Sequence, residues 1–539
     1  MKLSIIVIAV FVAILFTLSG CEKHQTLVEI GNEQQIMHIN NMSEPSEIDP
    51  HVTNGLPEYH LQMALFEGLV LKDPQTLEPK PGVADSWTIS ADGKQYTFHI
   101  RDTAKWSDGD KITAFDFEYS WKRILQPEIG NQFVTDFFVI KNAEAYYKGE
   151  IKDFSRVGIK ALDESTFQVL LDNPTSYFLA QMDHFPMFPV QKKAIEKFNA
   201  FKERGTGWTK PQNFVGNGPF VIKEWIPQVV FSVKRNPYYW DKANVKLNEI
   251  HFYPYENVLL EERMFAAGQI HKTEFLPTSK VDKYRGSPAY RQYPFYASYY
   301  YVFNTKIKPL DDVRVRKALA YSVDRDAIVK NVLRAGQIPA YRLTPDDPYG
   351  YQPRASFNYD IPLAKKLLAK AGFPDGKGFP TLELVYNTHA DHLKIAVAIQ
   401  QMWKKNLGIN ITLRNMEWKV YLDARNSRSF HILRRGNVGD VVDPGTFLFT
   451  MVSDDPLNES GWSSKRYDEL INLSRSAKTQ QERFEYFQEA DQILVDEMPL
   501  IPLYIYTTNN LVSPSVKGYY NNVLDYHPYK YLYLESVSP

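Results

Sequence analysis

His389 and His392 stand three residues apart, a spacing that brings two imidazoles to one face of a helix. A metal centre needs further ligands at a recognisable spacing, and none stands nearby, so the pair reads as a polar helix start or a ligand contact. The paired acids Asp311-Asp312 and Asp454-Asp455 read as loop and helix-cap residues. The one thiol, Cys21, closes a hydrophobic N-terminal run and is committed there. No G-x-S-x-G elbow, Walker loop, H-E-x-x-H or G-x-G-x-x-G in strand–helix context occurs. These residues point to binding rather than catalysis, with no metal and no cofactor expected.

The surrounding chain says where such binding takes place. Lys2 gives a thin positive start, Ile5 to Leu18 is apolar, and Leu18-Ser19-Gly20-Cys21 follows. A run that short is a secretory segment and does not span a bilayer. Ser-Gly-Cys after Leu resembles the bacterial lipobox, which implies a signal peptide over 1–20, lipidation of Cys21 and a polar tether over 21–35. Net charge of −1 gives no drive toward nucleic acid or anionic lipid, and hydrophobic content of 44% is that of a globular protein. At 539 residues the chain calls for about three domains. Tyrosine is abundant at 34 residues, and it suits recognition because a rigid ring carries an adaptable hydroxyl. In Tyr299-Tyr300-Tyr301, strand alternation points neighbours to opposite faces, and Tyr299 and Tyr301 are expected in a pocket wall.

Periodicity supplies the elements that position these residues. A strand is expected from Ile36 and a helix over Tyr59–Leu71, with Leu61, Leu65 and Leu69 at helical spacing. Ser86–Ile100 reads as a hairpin about Asp92-Gly93, and Thr113–Leu125 as a helix presenting Phe117, Trp121 and Leu125. A strand pair runs from Phe220 through Trp225 and Val233. Farther on, strand Tyr296–Asn304, a helix through Val323 and helix Asp360–Ala371 precede strand Leu382–Tyr386. Helix His392–Leu407 and strand Ile409–Leu413 follow, a βαβ alternation. Helix Gln480–Glu497 leads into strand Leu500–Tyr506.

Several stretches carry a family likeness: Tyr96-Thr97-Phe98-His99-Ile100-Arg101, Lys105-Trp106-Ser107-Asp108-Gly109, Asn217-Gly218-Pro219-Phe220, Arg235-Asn236-Pro237-Tyr238-Tyr239-Trp240-Asp241 and Asp312-Val313-Arg314-Val315-Arg316-Lys317-Ala318-Leu319. In collinear order they resemble bacterial extracellular solute-binding proteins of the peptide/nickel class, over nearly the whole mature chain. Arg434 through Asp440 to Asp443-Pro444 and Phe447 is most similar to the oligopeptide-binding members. That resemblance implies that Asp440 meets a peptide's amino terminus and that Arg434, His392 and Arg425 lie where its carboxylate ends. It further implies that Asn437 and Gly439 border the ligand and that Asn54 to Glu58 pairs with the peptide backbone from the other lobe. The chain departs from those members at Asn437, where Trp is common, at Val441 in place of Tyr, and at Asp443 in place of Glu.

The resemblance implies an α/β bilobal periplasmic-binding-protein fold with a hinge and an extra α+β domain. Lobe I is expected over 36–70, 190–292 and 507–539, the extra domain over 71–189, and lobe II over 293–506. The implied function is a monomeric, lipid-anchored receptor outside the cytoplasmic membrane that delivers short peptides to the permease subunits of an ABC importer. A murein tripeptide receptor or a metal-chelate receptor on the same fold is the alternative; an adhesin or sensor, and a hydrolase, stand further off.

Overall fold

The structure is a computed structural model and describes residues 25–175, 177–347, 350–439, 441–477 and 479–536. The leader and Cys21 lie outside the described residues, as does Asp440. Among the described residues, no helix is long and apolar enough to cross a membrane.

Three sheets carry the molecule. The first has four strands in the order Ile36–Asn40, Glu249–Tyr253, Val230–Arg235 and Phe220–Ile226, with the first two parallel. Alternation along Glu249–Tyr253 turns Ile250 and Phe252 inward, where they join Met37, Val233 and the helical Leu61 and Leu65. The second sheet holds Ala84–Ile89, Gln95–Ile100, Thr166–Leu170 and Ile159–Ala161. Gly93 turns its hairpin at φ +69°, a value that suits glycine. The capped helix Ala114–Ile124 buries Phe117, Trp121 and Ile124 in the same core as Phe98 and Phe167.

The third sheet has six strands in the order Ile338–Pro339, Leu500–Leu511, Tyr290–Phe303, Ile432–Val438, Leu382–Asn387 and Ile411–Met416. Leu382–Asn387 and Ile411–Met416 run parallel and are joined by helix Ala390–Leu407, the expected βαβ unit. The two long strands do more than fill the sheet. Beyond a register shift at Pro294/Ser298, Tyr290–Pro294 pair with Thr507–Leu511 and leave the six-stranded core. There Leu511 exchanges backbone and side-chain bonds with Thr273, and Ser513 donates to the carbonyl of His271, in the segment that follows strand Glu249–Tyr253 of the first sheet. The borders expected at 292/293 and 506/507 fall inside these crossing strands.

Two expectations need correction. The helix read over Tyr59–Leu71 spans Leu56–Leu65, because Pro57 seats in its first turn and the chain becomes extended at Phe66. Leu69 instead enters the core of the second sheet, beside strand Val70–Lys72. The stretch read as tether is helical over Leu27–Gln34, closed by a capping box between Thr26 and Glu29. Its Gly31 is buried, and a Cβ there would stand 2.8 Å from the His271 ring.

Candidate ligand cleft

A cavity of about 280 Å³ lies between the lobes, near the lower end of small-molecule sites. One wall comes from the segments around Asn40–Ser43 and Asn54–Pro57; the other is formed by six successive residues, Arg434 to Gly439, and by the start of helix Ala390–Leu407. Segments far apart in sequence meet around it. Arg425 Nη2 donates to Gln132 Oε1 at 2.9 Å, and Gln132 Nε2 to Asn426 Oδ1 at 2.8 Å. Asn54 Nδ2 also donates to Gln132 Oε1, and Thr135 Oγ1 donates to Asp455 Oδ2 at 2.8 Å. Gly55 packs so closely beneath Trp418 that a Cβ would lie 2.9 Å from the indole.

The second wall presents an open strand edge. Ile432–Val438 pairs with Tyr290–Phe303 along its length, but its ladder to Leu382–Asn387 stops at Leu433. Among the described residues, Arg434 to Val438 therefore keep one edge without a strand partner, and the cavity wraps around it. On it the carbonyl of Arg434 accepts from the Tyr421 hydroxyl, and that of Gly436 from Arg435 Nη1 at 2.8 Å. Such an edge is a template for an extended chain.

Charge is unevenly distributed along the wall. Arg434 Nη2 donates to the Tyr506 hydroxyl at 2.7 Å and Nη1 to Asn387 Oδ1 at 3.3 Å, with the guanidinium 4.7 Å over the Tyr299 ring. Its Nε is buried without a partner, and no carboxylate among the described residues pairs with it. His392 is buried, with Nδ1 3.3 Å from the Tyr299 hydroxyl. Burial, then Arg434 and His389, hold its pKa well below the usual imidazole range, so it is neutral at pH 7. Burial likewise lowers His389 to about 4, and its ring caps the helix by accepting from the Asp391 N–H. On the first wall, burial lifts the Glu261 carboxyl to about 8, although the Glu274 N–H opposes the rise. Among the described residues, no three His, Cys, Asp or Glu are grouped to hold a metal ion.

The structure brings Arg434, His392, Arg425, Asn437 and Gly439 together on the cavity wall. Their neighbours fix them. Asn437 Nδ2 donates to the Thr446 carbonyl at 3.1 Å, and the Gly439 N–H to the Tyr296 carbonyl at 2.8 Å. A buried bidentate pair between Arg483 and Asp443 holds the turn that follows, and Phe447 packs edge-on against Tyr296. Asp440 is outside the described residues, so its expected ligand contact has no structural account.

Three expected contacts lie elsewhere. Tyr299 and Tyr301 are fully buried in the six-stranded core, because alternation turns both to the face covered by the helices. Tyr299 lies behind Arg434 and stacks on Tyr504 with centroids 4.6 Å apart. Glu58 is fully buried and does not line the cavity, its Oε1 accepting from the Ser46 N–H at 2.6 Å and hydroxyl at 2.7 Å. Burial raises its carboxyl, with those two donors opposing. Sequence reading missed Arg435, Trp418, Tyr421, Tyr506, Glu274 and Asp525, all on the wall. The second arginine of Arg434-Arg435 was the one local signal available.

Comparison with known proteins agrees with this geometry. The family model described as bacterial extracellular solute-binding proteins, family 5 middle, matches residues 78–459. The periplasmic oligopeptide-binding protein OppA of Salmonella typhimurium is 37% identical over 503 residues, covering 91% of each chain. The crystal structure of Haemophilus influenzae OppA in complex with RPPGFSPFR aligns at a TM-score of 0.89 with 31% identity, covering 94% of this chain and 99% of that one. The Escherichia coli murein tripeptide binding protein MppA aligns at 0.89 with 36% identity, over 93% and 99%. Its unliganded open form, at the same 36% identity and over 93% and 98%, aligns at only 0.63. The overall arrangement here is therefore more similar to that of the peptide complex than to that of the open form.

Proposed function

The chain belongs to the bacterial extracellular solute-binding proteins of family 5, and we propose that its cleft captures short peptides and hands them to an ABC importer. The observation that carries this reading is the free edge of Arg434–Val438, with a guanidinium at one end that no carboxylate among the described residues pairs with, and Gly439, the residue before Asp440 in sequence, at the other. An extended peptide adds to such an edge through main-chain hydrogen bonds common to all sequences. Its carboxylate meets Arg434 beside the N-terminus of helix Ala390–Leu407, whose dipole favours an anion. Its ammonium meets Asp440. From Arg434 to Gly439 the strand advances five residues, about 17 Å, which suits ligands of about two to five residues. Neutral His392 orients the site and carries no charge to the carboxylate. Tyr299 and Tyr301 support Arg434 from behind.

The receptor is read as a monomer and not an enzyme, tethered to a bacterial membrane through lipid on Cys21. Its lobes divide near residues 70, 190, 292 and 506, with the crossing strands Tyr290–Phe303 and Leu500–Leu511 as the hinge. Calorimetric titration with free, N-acetylated and C-amidated tripeptides tests the reading. Free peptides bind stoichiometrically and unaltered, each blocked end weakens them, and Asp440→Ala costs about 2–5 kcal/mol, or about 30-fold to several thousandfold. Equal affinity for blocked and free peptides, or their steady turnover, would refute it.

A further inference from the structure

Beyond Arg434, two more guanidiniums face the cavity, and they share a single carboxylate. Arg435 Nε stands 3.2 Å and Arg425 Nε 3.4 Å from the same oxygen, Glu459 Oε1. The other hydrogen bonds of the two arginines among the described residues are to neutral groups: Arg435 Nη1 donates to the Gly436 carbonyl at 2.8 Å, and Arg425 donates through Nη2 to Gln132 Oε1 at 2.9 Å and through Nε to Asn426 Oδ1 at 3.4 Å. No second carboxylate among the described residues pairs with either. The side chains of Arg425, Arg435 and Glu459 are only 3%, 11% and 6% exposed, so water screens this group poorly. Among the described residues, two positive charges against one negative leave a net charge of +1 beside the ligand space. An excess charge held away from water is costly until an opposite charge joins it.

That excess is separate from the carboxylate seat at Arg434. Successive strand residues point to opposite faces, and the neighbours follow: Arg434 lies over Tyr299, whereas Arg435 is one position on, opposite Tyr300. Tyr299 and Tyr300 belong to different cores on the two sides of the sheet. One ligand carboxylate at Arg434 therefore does not neutralise the Arg425–Glu459–Arg435 group. Arginine's planar fork suits bidentate capture of a carboxylate, and among the described residues the Nη atoms of these two guanidiniums donate only to neutral groups.

We propose that Arg435 and Arg425, tuned by Glu459, form a second anion seat that selects peptides bearing an acidic side chain. The proposal rests on the peptide reading above and names the ligands that reading leaves open. When the cleft closes on such a peptide, the side-chain carboxylate completes a two-by-two charge cluster with Glu459.

The test is calorimetric titration of the whole protein, at fixed pH and low salt, with tri-alanine in which each position in turn carries Glu or Gln. At one position the Glu peptide binds at least tenfold more tightly than its Gln counterpart. Arg435→Met brings that Gln-to-Glu ratio close to one. Glu459→Gln removes the internal competitor and raises the ratio, an opposite sign that loss of folding does not produce. Glu and Gln peptides binding equally at every position would overturn the seat and leave peptide capture standing. Failure of every tripeptide to bind would overturn both.

Discussion

Replacing Arg434 by methionine isolates the charge on which ligand capture is argued to depend. The guanidinium has two neutral hydrogen-bond partners, Tyr506 and Asn387, and a buried Nε with none. Neighbouring His392 is neutral, and Arg425 and Arg435 already hold Glu459. No other group at that end stands ready to replace it. Truncating one member of a desolvated charge pair at an interface costs about 2–5 kcal/mol, so Arg434→Met weakens a free tripeptide by about 30-fold to several thousandfold. Folding is spared. Methionine keeps an apolar body against Tyr299, and Tyr506 and Asn387 border the cavity, where water reaches them, so the stability change stays within about 1.5 kcal/mol. The assay is a four-way calorimetric cycle of wild type and Arg434→Met, each with tri-alanine acid and tri-alanine amide. Amidation costs wild type a factor comparable to the mutation and costs the variant less than about threefold, because the partner is already gone. A variant that loses the same factor for acid and amide would show that Arg434 does not hold the carboxylate.

Other expectations concern closure and stability. Gly55→Ala places a Cβ against the Glu58 carboxyl and 2.9 Å from Trp418 of the other lobe, so it opposes the closed form. Overpacking of about 1–3 kcal/mol weakens ligand by about 5- to 150-fold while the denaturant midpoint without ligand barely moves; a ligand affinity equal to wild type would contradict this. Arg483→Met leaves Asp443 buried without its partner and lowers unfolding free energy by about 3–5 kcal/mol, read as a lower urea midpoint; an unchanged midpoint would contradict it. Asp455 accepts from Thr135, 320 residues away in sequence, and burial lifts its carboxyl to about 7, with the Leu457 N–H and Thr135 opposing and Asp136 adding to the rise. Asp136, 3.4 Å from His184 and near Arg475 and Tyr177, is lifted by burial to about 7 as well. Opening the cleft returns Asp455 toward the ordinary carboxylate range. A carboxyl whose pKa is raised in the closed form favours closure fully below its open-form pKa, and that advantage is lost as pH rises through about 7. One such proton makes ligand affinity about tenfold higher at pH 6 than at pH 8, and Asp455→Asn flattens the slope; the same slope in both proteins would contradict the assignment.

What the sequence revealed follows the reach of local physics. Helix Ala114–Ile124 and helix Gln480–Glu497 were legible because their periodicity, capping residues and turns all lie within the segment. The helix at Leu56–Leu65 was misplaced because an apolar Leu69 continued the spacing, although tertiary packing hands that residue to another core. Strands Tyr290–Phe303 and Leu500–Leu511 were read short, since their far ends pair only with each other and with the first lobe. At the cleft, motif context pointed to Arg434, His392 and Arg425, and all three line the cavity. Tyr299 and Tyr301 were misassigned because alternation says that two residues share a face, not which face looks inward. Glu58 was misassigned because its partner, Ser46, is fixed by a fold that spacing does not encode. The shared use of Glu459 by Arg425 and Arg435 joins residues far apart in sequence, and only the folded chain displays it.

The most direct test of peptide capture is mass spectrometry of the ligands released by denaturing the protein, freed of its first 21 residues and purified from the extracytoplasmic compartment of its own host. The account predicts peptides of about two to five residues with free amino and carboxyl ends, enriched in Asp and Glu at one position. A metal chelate or a non-peptidic molecule as the sole released species would contradict it.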